Sequence, residues 1–103
     1  MTTNGGNVTI NSASNDIAAL GTVSLGAGAF TFSTARAAGF DVGAVTANGG
    51  IDITNTSGKL TTSGAISSDG DISLRAGAGQ LSLGGTVTSN NKGITLRSQD
   101  ALD

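Results

Sequence analysis

The sequence predicts an all-β fold, a parallel β-helix or β-solenoid in which the chain winds through stacked coils. One observation is a four-residue motif (Gly, small residue, β-branched aliphatic, hydroxyl) that occurs four times, with steps of 22, 21 and 21 residues. A second is composition, since 17 Gly, no Pro and only 12% charged residues indicate short strands and tight turns. A fixed period of this length is typical of repeat architectures, whose units bury a core only by stacking. The motif copies begin at Gly21, Gly43, Gly64 and Gly85.

A third observation is an apolar pair, with one residue between its members, at the start of each repeat. The pairs are Val8 and Ile10, Phe30 and Phe32, Ile51 and Ile53, Ile72 and Leu74, and Ile94 and Leu96. The aliphatic residue of the motif follows the first pair member by 15 residues in all four repeats that contain it. An antiparallel meander would not require segments one repeat apart to match. The shared period therefore favours stacking of each segment on its equivalent.

A looser third apolar group lies between the pair and the motif. It comprises Ile17 and Leu20, Phe40 and Val42, Leu60, Leu81 and Leu83, and Leu102. Each repeat thus holds three short period-2 segments, separated by Gly-rich, Asn-Gly or Asp-Gly turns that tolerate a positive φ. We therefore predict one domain over residues 1–103, with about five coils of 21–22 residues, three short strands per coil, and a stack roughly 20–25 Å long.

Three inward columns follow from this arrangement: two from the apolar pairs and one from Val23, Val45, Ile66 and Val87. The three Phe fall in one repeat, and two of them belong to the inward columns, so core packing is favoured over an aromatic binding stripe. A single coil buries too little to offset the ordering of about 21 residues, each costing roughly 1–2 kcal/mol. We expect the chain to be a piece of a longer array whose open coil end self-associates end to end.

The residue inventory argues against an enzyme, because His, Cys, Glu and Tyr are absent. Asp41, Asp52, Asp71 and Asp100 occupy different phases of the repeat and do not form a column of carboxylates. Asp69-Gly70-Asp71 occurs once, whereas calcium-binding repeats place Asp at every turn. We expect no catalytic residues, cofactor or metal site. Scattered Lys and Arg with a net charge of −2 argue against nucleic acid, and no apolar run approaches the ~18 residues of a membrane span.

One regular surface remains as a candidate binding face. The second and fourth motif residues point away from the aliphatic residue and form ranks of hydroxyls and methyls without charge. The hydroxyl members are Thr22, Ser24, Thr46, Ser67, Thr86 and Thr88, with Ala44 and Ala65 between them. Ice-binding solenoids use comparable Thr-x-Thr ranks, and a flat hydroxyl face also suits carbohydrate. The alternative is that small hydroxyl residues simply suit exposed strand positions.

The second half of the chain resembles the internal repeats of filamentous-haemagglutinin-like exoproteins, the large adhesins of two-partner secretion in Gram-negative bacteria. The resemblance is carried by Gly70-Asp71-Ile72-Ser73-Leu74-Arg75-Ala76-Gly77, by 81–87, and by a second copy at 92–98. It covers residues 6–103 and is clearest over 51–103. Because the family's secretion domain carries Asn-Pro motifs and this chain has no Pro, the resemblance is to the shaft.

The resemblance implies a right-handed parallel β-helix that forms part of a long shaft. It further implies a secreted or surface-displayed parent protein on the Gram-negative outer surface. The parent would act in adhesion or in display of distal elements, and would bind a surface receptor or glycan on a host or bacterial cell.

Overall fold

The computed structural model describes residues 6–10, 19–35, 39–90 and 92–98. This part of the chain contains thirteen β-strands and no helix. The strands are β1 (Val8–Ile10), β2 (Ala19–Leu20), β3 (Val23–Ser24), β4 (Phe30–Thr34), β5 (Phe40–Val42), β6 (Val45–Thr46), β7 (Ile51–Asn55), β8 (Leu60–Thr62), β9 (Ile66–Ser68), β10 (Ile72–Ala76), β11 (Leu81–Leu83), β12 (Val87–Ser89) and β13 (Ile94–Ser98).

The strands form three parallel sheets, and every strand pairs with its equivalent one repeat away. The first sheet has the order β1-β4-β7-β10-β13, the second β2-β5-β8-β11, and the third β3-β6-β9-β12. The predicted β-solenoid with three short strands per coil is therefore confirmed. From β1 to β13 the chain completes four turns, slightly fewer than the five coils expected, and β13 begins a further turn. Four steps of ~4.8 Å give a stack of about 19 Å between these strands.

The apolar columns set the register of the first sheet. Phe30 aligns with Val8 on one side and Ile51 on the other, and Ile72 aligns with Ile51 and Ile94. In β4, β7 and β10 the alternate residues are buried, as expected where successive side chains of a strand point to opposite faces. The apolar columns therefore lie in one core that runs through the stack.

The three Phe side chains fill one level of this core. Phe30, Phe32 and Phe40 are each at most 2% exposed. The rings of Phe32 and Phe40 stack with centroids 4.7 Å apart, and those of Phe30 and Phe32 are 6.2 Å apart. Core packing, as predicted, is thus the role of all three. Ile17, Asp100 and Leu102 lie outside the described residues, as does the side chain of Leu20.

Two further inward columns were missed at the sequence level because their members are mostly small or polar. One aligns Thr34, Asn55, Ala76 and Ser98 at the end of the first-sheet strands. The other follows the motif and comprises Leu25, Ala47, Ser68 and Ser89, with the first three fully buried. In the buried Ser68 the hydroxyl donates to the Ala47 carbonyl (2.6 Å) and accepts from the Gly70 N–H (2.9 Å). Local hydrogen bonds thus allow polar residues to occupy core positions near the corners.

Glycine provides the positive φ angles of the turns. Positive φ angles occur at Gly26, Gly39, Gly50 and Gly79, and at no other type of residue in the described part of the chain. Gly39, Gly50 and Gly79 lie in the Gly-rich and Asn-Gly turns that the sequence indicated. At two positions of the motif, glycine also permits close contact between coils. A Cβ atom on Gly64 would lie 2.6 Å from the Ala44 nitrogen, and one on Gly85 would overlap the Gly64 carbonyl.

Candidate functional site

The third sheet brings four of the six predicted hydroxyl residues into one column. The register pairs Ser24 with Thr46, Thr46 with Ser67, and Ser67 with Thr88. The intervening residues Val23, Val45 and Ile66 are buried at 0–1% exposure, which forces their neighbours onto the outer face. The column therefore follows from inward packing of the aliphatic residues.

The remaining two residues, Thr22 and Thr86, lie at opposite ends of a parallel row. The row runs through Ala44 and Ala65. Its alignment is shown by backbone hydrogen bonds between coils, in which the N–H groups of Val23, Val45 and Ile66 donate to the carbonyls of Ala44, Ala65 and Thr86, respectively. Five of the six hydroxyl residues are exposed and Ser67 is half-buried. The structure thus forms one continuous hydroxyl column, and a second row whose centre carries only methyl groups.

The chemistry of this hydroxyl face, defined as Thr22, Ser24, Thr46, Ser67, Thr86 and Thr88, is that of neutral donors and acceptors. Each hydroxyl carries one donor and two acceptor sites, and neighbours in the column recur at about the 4.8 Å strand spacing. No Asp, Lys or Arg interrupts either row. Such a face can hydrogen-bond to ordered water or to the hydroxyls of a sugar.

A second surface feature, on the first sheet, was missed in the sequence. An open hollow of about 280 Å³ is formed where three coils meet. Its lining residues are Ala29, Phe30, Thr31, Gly49, Gly50, Ile51, Asp52, Asp71 and Ser73. Asp52 lies between Thr31 and Ser73 in the register, and Asp71 stands one position before β10. Two carboxylates and two hydroxyls therefore line one hollow.

The sequence did contain a signal for this proximity. Asp52 and Asp71 are not in register, as predicted, but their phases differ by only two residues between neighbouring coils. A comparison limited to residues at the same position of successive repeats does not detect this diagonal relation. Asp71 already accepts a hydrogen bond from the Gly93 N–H (3.2 Å) through one carboxylate oxygen. Among the described residues, no group of three or more metal-binding side chains is present.

Asp41 lies apart from both surfaces, in the second sheet between Ala19 and Thr61. One of its carboxylate oxygens is buried without a hydrogen-bond partner among the described residues. Of the four carboxylates considered in the sequence, Asp41 lies in the second sheet, Asp52 and Asp71 share the hollow at the first sheet, and Asp100 is outside the described residues.

Comparisons of the chain with protein-family models, with curated proteins and with solved structures found no match. Within the described residues, no helix is both long enough and apolar enough to cross a bilayer.

Proposed function

We propose that the chain is a structural shaft segment of a secreted or surface-displayed bacterial adhesin or exoprotein, which mediates adhesion or displays distal elements. The observation that carries the proposal is the in-register, parallel pairing of equivalent strands in all three sheets. A coil of this kind can be repeated without changing the core, so that length increases while the cross-section stays constant. The resemblance of residues 51–103 to repeats of filamentous-haemagglutinin-like exoproteins supports the same role.

In this proposal the chain itself performs no catalysis and binds no cofactor. Contact with a host-cell or bacterial receptor or glycan is made through the parent protein. The polar outer faces of the coils keep the shaft hydrated, while the inward columns hold it together.

The proposal is tested by locating the chain on the cells that produce it. Antibodies raised against the folded chain should label intact cells or detect the protein in the medium. An antibody against a cytoplasmic protein of the same cells serves as the control for membrane integrity. Labelling that appears only after permeabilisation would contradict secretion and surface display.

A second candidate function is ligand binding by the hydroxyl face, with ice or carbohydrate as the ligand. The observation that favours it is the uninterrupted register of Ser24, Thr46, Ser67 and Thr88, which repeats hydroxyls at one spacing. Regular hydroxyls on a rigid sheet can match ordered water or the hydroxyl groups of a repeating glycan.

Thermal hysteresis and a glycan array test this second function. Thr46→Lys should abolish either activity, because a long charged side chain breaks the flat face at its centre. Thr31→Lys, on the outer side of the first sheet, is the matched control and should leave the activity unchanged. Absence of both activities at high protein concentration would exclude the hydroxyl face as the binding site.

A further inference from the structure

The turn between β6 and β7 carries an asparagine followed directly by a glycine. This step, Asn48-Gly49, is one of two Asn-Gly steps in the sequence, and the other, at 4–5, lies outside the described residues. Both Asn48 and Gly49 are exposed. Because glycine has no side chain, nothing shields the Gly49 nitrogen from the side-chain amide of Asn48 in an unfolded chain. An asparagine in this setting can lose its amide by reaction with the next backbone nitrogen.

In the folded coil, hydrogen bonds hold the Gly49 nitrogen away from this reaction. Its N–H donates to the Gly28 carbonyl of the preceding coil (3.0 Å), and the Asn48 N–H donates to the Gly26 carbonyl (2.8 Å). Within the turn, the Gly50 N–H donates to the Ala47 carbonyl (3.2 Å). The backbone is therefore fixed on both sides of the Asn48 side chain, and the Gly49 N–H is released when its bond to Gly28 opens.

Packing between coils adds a steric barrier at the same place. A Cβ atom on Gly49 would lie 2.9 Å from the Ala27 carbonyl oxygen and 2.9 Å from the Ala29 nitrogen, so the Gly49 backbone is in direct contact with the preceding turn. The Gly49 nitrogen can reach the side-chain carbon of Asn48 after the peptide between them rotates. That rotation requires the two turns to separate.

We propose that Asn48 is a site of spontaneous deamidation, and that the packing of its turn on the preceding coil controls the reaction. The Gly49 nitrogen bonds to the side-chain carbon of Asn48, the bond from that carbon to the side-chain nitrogen breaks, and ammonia leaves with the proton of the Gly49 N–H. Water then opens the cyclic imide at either carbonyl, which gives aspartate or isoaspartate. Water is the co-reactant, and no electrons are transferred. The inference is independent of the proposed function.

Each product fits the coil less well than asparagine does. Isoaspartate routes the backbone through the side-chain methylene, so the chain is longer at this turn than the repeat allows. Aspartate adds a negative charge one repeat before Asp69, two positions beyond the pairing of Thr46 with Ser67. Asp69 already accepts a hydrogen bond from the Asn90 side chain (2.6 Å), and like charges on neighbouring strands repel. Deamidation thus permanently marks a chain that has opened at this turn and disfavours its return to the fold.

Peptide mapping of the natural chain measures the protection. The chain is kept at mildly alkaline pH, folded in buffer or unfolded in urea, and a synthetic peptide of residues 44–52 gives the rate in buffer without the coil. Trypsin releases residues 37–59, which contain Asn48 and, as an internal control, Asn55 followed by Thr56. Conversion of Asn48 should be at least about tenfold slower in the folded chain than in urea or in the peptide, because hydrogen-bonded backbone groups react through opening. Asn55 should convert far more slowly than Asn48 in urea, because the β-branched Thr56 shields its own nitrogen.

Hydrogen exchange at the Gly49 amide provides an independent measure of the same opening. Exchange and deamidation both require the N–H to leave the Gly28 carbonyl, so folding should slow the two reactions in parallel. Deamidation that is faster than this opening allows would show that the packed turn does not control it.

Refolding tests the consequence of the modification. Chains deamidated in urea and returned to buffer should regain less β-sheet circular dichroism in the isoaspartate fraction than in the unmodified fraction. Asn48→Gln is the matched control, because it keeps the amide but lengthens the side chain and so disfavours ring closure; it should pass through the same urea treatment and refold fully. Equal rates of conversion in the folded chain and the peptide, or full refolding of the isoaspartate fraction, would overturn the proposal.

Discussion

The glycines of the four-residue motif share a sequence position but differ in their surroundings. A Cβ on Gly64 would lie 2.6 Å from the Ala44 nitrogen, whereas nothing lies within 4 Å of a Cβ on Gly21. Neither residue has a positive φ, so backbone strain does not distinguish them. Contact between neighbouring coils is therefore what requires glycine at position 64.

Gly64→Ala should lower the free energy of unfolding by about 1–3 kcal/mol, the usual range for overpacking, because coil backbones must separate to admit the methyl group. Gly21→Ala, the matched control, should be neutral or stabilising by up to about 1 kcal/mol, because alanine restricts the unfolded chain without a clash. Urea denaturation followed by circular dichroism measures both variants. Equal effects of the two substitutions would show that contact between coils is not the cause.

Asn55 is a buried amide that holds the corner after β7. It is fully buried, its side-chain N–H donates to the Lys59 carbonyl (2.8 Å), and its side-chain carbonyl accepts from the Ser57 N–H (3.4 Å). The same position in the next coil is Ala76, so the column itself tolerates a small apolar residue. The amide is needed for its own loop rather than for the column.

Asn55→Ala should destabilise the chain by about 1–3 kcal/mol, because it removes both partners of buried or partly buried backbone groups. Thr54→Ala, on the outer side of the same strand, should change stability by no more than about 0.5 kcal/mol. Thermal and urea unfolding of the two variants provide the comparison. If Asn55→Ala lowers the free energy of unfolding by no more than Thr54→Ala does, a structural role for the amide is refuted.

Among the strands, β10 and β13 place two like charges side by side. Arg75 and Arg97 are register partners and both are exposed. Like charges directly opposite on neighbouring strands are destabilising. The pairing of β10 with β13 is thus held by the burial of Leu74 and the partial burial of Leu96 against this repulsion.

Arg97→Asp should raise the free energy of unfolding by about 0.2–1 kcal/mol, because it replaces a like-charged pair with an oppositely charged one. Arg97→Ala separates the two contributions, since it removes the repulsion without adding an attraction. The gain for Arg97→Asp should shrink as salt is added, because both groups are exposed to solvent. The free energy of unfolding of each variant, measured at low and high salt, tests this. A difference between Arg97→Asp and the natural chain that does not change with salt would contradict an electrostatic origin.

At the scale of the molecule, stability is shared among equivalent junctions between coils. Each coil contacts mainly its two neighbours, so a whole repeat can be added or removed while every remaining residue keeps its place in the columns. Folding requires that each residue keep its position within the 21-residue repeat, because that position decides whether its side chain points into the core. Joining Gly50 to Ile72 removes residues 51–71, one full coil, and preserves every inward column.

Deletion of residues 51–71 should leave a cooperatively unfolding β protein of lower stability, and duplication of the same segment should raise stability. Deletion of residues 51–61, about half a coil, should prevent folding because it places polar residues in the inward columns. Circular dichroism and urea unfolding of the three variants test this. Similar behaviour of the two deletions would refute a core built from columns of equal phase.

The period of the apolar residues alone determined the fold class, the number of strands in each coil and three of the inward columns. It could do so because, in a sequence, large apolar residues are the ones that indicate burial. The polar members Thr34, Asn55 and Ser68 could not be recognised, since their burial depends on hydrogen bonds to carbonyls that only the folded coils bring near. The same limit applies to surfaces.

Outward alternation around Val23, Val45 and Ile66 was enough to predict the hydroxyl face. The hollow with Asp52 and Asp71 depends on a diagonal relation between neighbouring coils. Sequence periodicity records which residues are equivalent. Only the tertiary structure decides which non-equivalent residues meet, because those contacts depend on the positions of entire coils.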